Sequence, residues 1–208
     1  MDDPFAELRR NMVERQLLPR GIRDRAVLAA MGKIQRELFL DEGSRQNSYA
    51  DGPLPIACGQ TISQPYIVAY MTELLELRGG ESVLEIGSGS GYQTAVLAEI
   101  AARVYTVEVI PELSRSAGEL LLGRLNYRNV FFRVGRGQEG WPEFAPYDRI
   151  IVTAAPAEFP PGLFSQLGEG GIAVAPVGTA SQQLVRYVKR GGGIQAEELI
   201  GVIFVPLV

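Results

Sequence analysis

The stretch VLEIGSGSGYQ, residues 83–93, limits the possible folds more than any other part of the chain. A short apolar run stops at glycines alternating with serines, and a helical pattern, YQTAVLAEIA, begins at once. Glycines at a strand-to-helix junction let the backbone turn tightly and let a ligand approach it closely. The strand–helix rhythm then recurs. SVLEI (82–86), RVYTVEV (103–109), NVFFRV (129–134), DRIIVTA (148–154) and GIAVAPV (171–177) read as buried strands. Between them lie helical or loop segments such as PELSRSAGELLLGRL. Parallel strands need a crossover that returns over the sheet, so this alternation predicts a parallel sheet with helices on both faces. LVRYVKR (184–190) and LIGVIFVPL (199–207) flank GGG at 191–193 and predict a closing antiparallel hairpin at the sheet edge. The expected fold class is α/β: a doubly wound, mostly parallel sheet with a helical N-terminal segment and a C-terminal antiparallel hairpin.

The N-terminal third follows a different rhythm. Residues 5–18 carry Phe5, Leu8, Met12 and Leu17 at helical spacing. Asp24 is placed to cap a second helix through Met31, with Ala26, Val27, Ala30 and Met31 on one face. Residues 41–63 are rich in Gly, Pro, Asn, Ser and Asp and read as a long loop, a length often tied to function. Pro65 then opens a helix. A chain of 208 residues predicts a single domain. Within it, 1–78 is the helical, substrate and active-site segment, and 79–208 is the cofactor-binding core.

Charge and composition remove several function classes. The net charge of −4 does not supply the positive face that nucleic acid requires. The N-terminal arginines alternate with Asp2, Asp3, Glu7, Glu14 and Asp24, as on a solvated, ion-paired face. MDDPFAELRR has no apolar centre of a signal peptide, and no run approaches the ~18 apolar residues of a membrane span. Cys58 is the only cysteine, so no intrachain disulfide can form, and a reducing compartment, the cytoplasm, is expected. With no histidine and one cysteine, a protein-only zinc or copper site is not expected. The chain is expected to be a monomer that binds neither nucleic acid nor membrane.

The glycine loop itself departs from the dinucleotide fingerprint G-x-G-x-x-G. Here the spacing is Gly87-x-Gly89-x-Gly91, Tyr92 follows, and Glu85 lies inside the strand. Glu108 ends the next strand, where a carboxylate can accept from two vicinal ribose hydroxyls. Loop and acid together ask for a nucleoside ligand without a clear demand for phosphate. S-adenosylmethionine fits, its ribose at Glu108 and its amino-acid tail over the glycine turn. The plainer alternative is a strand–turn–helix with an incidental acid, since a glycine loop alone is weak.

Four further runs carry a resemblance. PLPIACGQTISQPYIVAYMTELLEL, VLEIGSGSGYQTAVLA, GWPEFAPYDRIIVTAAP and QLGEGGIAVAPVG, closed by FVPLV and preceded by MVERQLLPRGIRDRAVLAAM, stand in one order along nearly the whole chain. In this the sequence resembles the protein-L-isoaspartate O-methyltransferases. GQTISQP is the specific signature, whereas the glycine loop marks class I methyltransferases generally. The resemblance implies methyl transfer from S-adenosylmethionine to the α-carboxylate of isoaspartyl residues in damaged proteins and peptides, with S-adenosylhomocysteine as product. The ester would collapse to a succinimide that partly reopens as aspartate. By matching motif, Ser63 is the implied active-site serine, and Thr61, Ile62, Ser63 and Gln64 lie beside the cofactor. Gly87, Ser88 and Gly89 form the implied cofactor turn, and Glu108 holds the ribose. Glu85, Val109, Arg136 and Gly137 complete the implied cofactor-binding set. Two positions depart from the family pattern. Gly135-Arg136-Gly137 replaces G-D-G, and arginine has no acceptor for the adenine amine. Ile203 stands where a basic residue is frequent.

A serine without any histidine fits this chemistry. A carboxylate acceptor, with an ordinary pKa of roughly 3.3–4, is already ionised at neutral pH. No proton has to be removed, so alignment and exclusion of water remain the tasks, and Ser63 is assigned to positioning. The plainer readings are these. Ser63 and Thr61 could cap a helix. Cys58 would be a small packed residue, Tyr66 and Tyr70 core or pocket wall, and Asp51 a turn stabiliser. Trp141 and Asp148 would be structural. Three rivals stay open at this level: a small-molecule carboxylate or hydroxyl methyltransferase, a silent S-adenosylmethionine-binding homologue, and a dinucleotide oxidoreductase.

Overall fold

The structure is a computed structural model that describes residues 3–208. Helix α1 (Ala6–Asn11) continues through a wider π-type segment, Met12–Leu17, and a 3-10 turn, Leu18–Arg20. Helix α2 (Arg25–Lys33) starts where expected: the Asp24 carboxylate accepts from the amides of Ala26 (2.8 Å) and Val27 (3.1 Å). Val27, Ala30 and Met31 are buried, but Ala26 is exposed, and Leu28 turns toward the core in its place.

The long loop is more ordered than its composition suggests. Two short strands, β1 (Leu54–Pro55) and β2 (Thr61–Ile62), pair antiparallel around a tight turn at Ala57–Gly59. Helix α3 (Pro65–Leu74) follows, with Pro65 in its first turn.

The main sheet is assembled from β3 (Ser82–Ile86), β4 (Arg103–Glu108), β5 (Val130–Val134), β6 (Tyr147–Val152), β7 (Leu167–Gly178), β8 (Gln182–Arg190) and β9 (Gly193–Val202). Helices α4 (Tyr92–Ala98), α5 (Pro111–Gly118) and α6 (Pro161–Gln166) lie on the connections. The strand order is β5-β4-β3-β6-β7-β8-β9. Strands β3 to β7 are parallel, and β8 runs antiparallel to both β7 and β9. The sequence places the final strand at 199–207, but β9 begins at Gly193 and ends at Val202. Its first half, Gly193–Glu198, is exposed, as an edge strand permits, so no apolar alternation marks it.

Alternating side chains feed two faces of the sheet. Leu84, Ile86, Ile150 and Val152 pack with Phe159 and Leu163 on one face. Val83, Val104, Ile151 and Val174 pack with Met71, Leu75 and Leu97 on the other. Each such side chain contributes roughly 1.5–3 kcal/mol on burial, so a one-residue slip of β3 is strongly disfavoured. A third cluster joins Met12, Leu17, Val27 and Met31 to Tyr92, Ala95 and Val96 of α4. That contact docks the N-terminal segment over the end of the sheet where the glycine turn lies. Among the described residues, no helix is long and apolar enough to cross a membrane.

Candidate active site

Strands β3 and β6 are neighbours, yet the chain continues from them to opposite sides, to β4 and β7. Ligands of open α/β sheets bind outside the carboxyl ends of the strands at such a switch point. Three adjoining depressions occupy this place, and Thr61 and Thr153 line all of them. The first is a cleft that runs from Gly87 and Gly89 past Glu108 to Leu113, with Val205–Val208 along one side. The second is wider, about 600 Å³, and is bordered by Ser63, Gln64, Ile67 and Ile203. The third lies between them, with Ser63, Ser88, Ser90 and Tyr92 in its walls.

The glycine turn is shaped by contacts that side chains would prevent. Gly87 has φ +94°, and a Cβ there would sit 2.5 Å from Thr153 Oγ1. Thr153 fixes this turn by donating to the Gly87 carbonyl at 2.6 Å. Across the cleft, a Cβ on Gly137 would sit 2.4 Å from Ile86 Cγ2. Glycine at both positions keeps the cleft floor bare.

Glu108 is 5% exposed at the end of β4. Its Oε2 accepts from the Gly89 amide at 2.9 Å and its Oε1 from the Ile110 amide at 3.0 Å. Ser88 Oγ also donates to Oε2 at a longer 3.5 Å, so of about four acceptor positions one is free and another only weakly engaged. Val109 and Gly137 line the same cleft. Thus Thr61, Ile62, Ser63, Gln64, Gly87, Ser88, Gly89, Glu108, Val109 and Gly137 are brought together around the three depressions.

Two residues of the expected set stand apart. Glu85 is fully buried and lines none of the depressions, because strand alternation turns it, with Val83, toward α4. There its Oε2 accepts from Thr94 Oγ1 at 2.6 Å, while Oε1 has no partner among the described residues. Burial pushes its carboxyl up to about 7, against the Thr94 bond, which lowers it. Arg136 is exposed and outside the walls, since it lies in the turn beyond β5. Its carbonyl accepts from the Glu139 amide.

Ser63 does not cap α3. Gln64 occupies the cap position, without a side-chain capping bond. Ser63 lines the second and third depressions, and its carbonyl accepts from Arg36 Nη2 at 2.8 Å. Gln64 is held by Asp51, whose Oδ1 accepts from its Nε2 at 2.7 Å. Asp51 also pairs with Arg20 at 3.1 Å, so it joins two segments and does more than stabilise a turn. Cys58 is exposed, with φ +57°, and is not a packed residue. Tyr66 and Tyr70 stack at 5.7 Å and are half-buried against the core. Trp141 packs edge-on to Tyr105, and Asp148 accepts from the Ser82 amide at 2.8 Å, both structural roles.

Sequence reasoning did not single out Thr153, Gln60, Leu113 or the tail Val205–Val208 as walls of the cleft. Thr153 directly follows β6, and its importance follows from the strand order, which no local pattern records. FVPLV was legible as a signature, but the bridge from Ala155 to Pro206 that carries it to the cleft is a long-range contact.

Comparison with known proteins bears on this arrangement. The profile of the family described as Protein-L-isoaspartate(D-aspartate) O-methyltransferase (PCMT) matches residues 8–208. A protein-L-isoaspartate O-methyltransferase of Picosynechococcus sp. is 51% identical over 205 residues, covering 99% of this chain and 92% of its own. One of Methanoculleus marisnigri is 53% identical over 207 residues, covering 99% and 94%. Among solved structures, a protein-L-isoaspartate O-methyltransferase superposes with TM-score 0.86 at 30% identity. It covers 95% of this chain, which spans 65% of that one. A candidate protein-L-isoaspartate O-methyltransferase from Plasmodium falciparum, in complex with S-adenosyl-L-homocysteine, superposes with TM-score 0.81 at 25% identity, covering 100% and 99%.

Proposed function

The chain belongs to the protein-L-isoaspartate(D-aspartate) O-methyltransferase family, and we propose that it transfers a methyl group from S-adenosylmethionine to the α-carboxylate of isoaspartyl residues in damaged proteins and peptides. One observation carries this reading. The segment Thr61–Gln64 borders both a cleft lined by the Glu108 carboxylate and a wider, open cavity on its other side, in a chain without histidine.

The residues of the cleft fit the cofactor. Glu108 keeps acceptor capacity for the ribose hydroxyls, because the amides of Gly89 and Ile110 take two positions and the Ser88 hydroxyl, at 3.5 Å, engages a third only weakly. Ile86, Val107, Ile110 and Leu113 give the cleft an apolar wall for a purine. Gly87, Ser88 and Gly89 border the third depression, where the amino-acid tail belongs. When bound there, S-adenosylmethionine supplies an electrophilic methyl group on a cationic sulfur.

The protein's own part is placement. Ser63 donates to one oxygen of the acceptor carboxylate and leaves the other free to attack. Thr61, Ile62 and Gln64 form the wall that keeps acceptor and cofactor adjacent and water out. No base is required, since the acceptor arrives ionised. Val109 borders the cofactor cleft, Gly137 its floor. Glu85 supports the glycine turn from behind through α4, and Arg136 makes no contact in this scheme. The ester product collapses to a succinimide after release and partly reopens as aspartate.

A monomer and a single domain complete this reading, supported by the hydrophobic core that the N-terminal helices share with α4. The single free cysteine suits the cytoplasm, and the net charge of −4 suits protein substrates over nucleic acid. The test is a methyl-transfer assay on two peptides that differ only in isoaspartyl against aspartyl linkage. Transfer to the first and not the second is expected. Equal transfer, or none to either, would overturn the proposal.

A further inference from the structure

We propose that Arg36 is a positioning residue for methyl transfer, a buried guanidinium that locks the Ser63 loop to the first residue of α4. The proposal rests on the function given above. Arg36 is 0% exposed, and among the described residues no carboxylate lies within ion-pairing distance of it. Its neighbour Glu37 is occupied by Tyr49, which donates to it at 2.6 Å, and by Arg9 at 3.6 Å. A buried cation without a counter-charge is costly, and an apolar side chain of similar volume would ordinarily fill such a place at least as stably.

What the guanidinium does instead is hold geometry. Nε donates to the Ser48 carbonyl at 2.7 Å and Nη2 to the Ser63 carbonyl at 2.8 Å. Its Cζ lies over the ring of Tyr92, 4.7 Å from the ring centroid. Tyr92 directly follows the glycine turn and shares the third depression with Ser63. One side chain from the N-terminal segment therefore touches both halves of the site, the acceptor loop by a hydrogen bond and the cofactor turn through Tyr92. The rigid fork of arginine suits two carbonyls at fixed angles, and lysine cannot reproduce it. Nη1 has no partner among the described residues, so Arg36 is not saturated by purely structural bonds.

The test compares Arg36→Lys with wild type for turnover on an isoaspartyl peptide, peptide KM, S-adenosylhomocysteine affinity and Tm. Arg36→Gln, whose amide nitrogen stands near the position of Nε and so keeps a donor for the Ser48 carbonyl but not for that of Ser63, is measured beside it. A drop in kcat of at least tenfold is expected for Arg36→Lys, with KM and S-adenosylhomocysteine affinity within about threefold, since small misplacements near the reacting atoms act on rate. Tyr49→Phe removes the hydroxyl that accepts from the Arg36 amide at 3.1 Å, but leaves the guanidinium. It should lower Tm and keep kcat. Placed on Ser63→Ala, Arg36→Lys should cost less than twofold further, because both act through the same hydroxyl. Unchanged kcat in a folded Arg36→Lys protein, multiplicative losses in the double variant, or failure of both Arg36 variants to fold with cofactor present would each overturn the assignment. If wild type itself leaves the peptide unmethylated in the same assay, the fault lies with the proposed function instead.

Discussion

Glu108→Gln tests the cofactor cleft most informatively, because the carboxylate is committed on two sides. Its two oxygens face different backbone amides, those of Gly89 at 2.9 Å and Ile110 at 3.0 Å. A side-chain amide has only one oxygen. Whichever way it turns, one backbone N–H meets an NH₂ donor instead of an acceptor. The ribose then loses one of two charge-assisted bonds as well. A hydrogen bond to a charged group contributes about 1.5–3 kcal/mol, so the loss at the ribose alone should weaken binding roughly 10- to 150-fold. Titration calorimetry with S-adenosylhomocysteine reads this directly. An analogue lacking the ribose 2′-hydroxyl supplies the second arm: it should bind wild type more weakly, yet be affected much less by the substitution. Affinity within threefold of wild type for Glu108→Gln would refute the assignment of this carboxylate to the ribose. A loss of the same size for both ligands would show that the glycine turn had moved, and that the ribose was not involved.

Two other substitutions separate positioning from structure. Ser63→Ala should lower kcat by about 10- to 100-fold, the worth of one hydrogen bond to a carboxylate, with S-adenosylhomocysteine affinity unchanged; steady-state kinetics on an isoaspartyl peptide checks this. Glu85→Gln should change how stability depends on pH. The folded protein holds a proton on Glu85 up to about 7, whereas the ordinary value is 4.5. Between these values the folded state binds the proton and the unfolded state has released it, so this contribution is complete below 4.5 and is lost as pH rises toward 7. Glu85→Gln lacks that loss, so its advantage over wild type should grow with pH and level off above about 7, at no more than about 3.5 kcal/mol from 1.4 kcal/mol per unit. Denaturant unfolding at several pH values measures it, and a constant difference across the range would contradict the burial of an ionisable Glu85.

The parts of the fold that the sequence displays are those whose side chains alternate in one local pattern. SVLEI carries β3 without error, and Asp24 announces the start of α2 through its own capping bonds. The first half of β9 escapes because GIQAEE lies exposed on an edge strand and has no face to keep apolar. The site divides the same way. Gly87, Gly89 and Glu108 are legible because a turn and a strand end dictate their residue types. Glu85 is adjacent in sequence but faces the other side of the strand, and motif membership alone does not reveal that. Thr153 and the Val205–Val208 tail reach the cleft only through strand order and a long-range bridge. Arg36 is hidden for a further reason: an arginine next to Glu37 reads as part of a solvated charge pattern, and only tertiary structure shows it buried beneath Ser63.

The central claim is that the acceptor reaches Ser63 already negative, so the site aligns charged partners and moves no proton. The pH profile of kcat/KM on an isoaspartyl peptide, taken from about pH 5 to 9 under conditions where the protein stays folded, tests it most directly. The account predicts a plateau across that range, with a fall only toward the carboxylate pKa of roughly 3.3–4, and the same profile for Glu85→Gln. An ascending limb with a midpoint between about 6 and 9, present in both proteins, would mean that a base is at work and would contradict the claim.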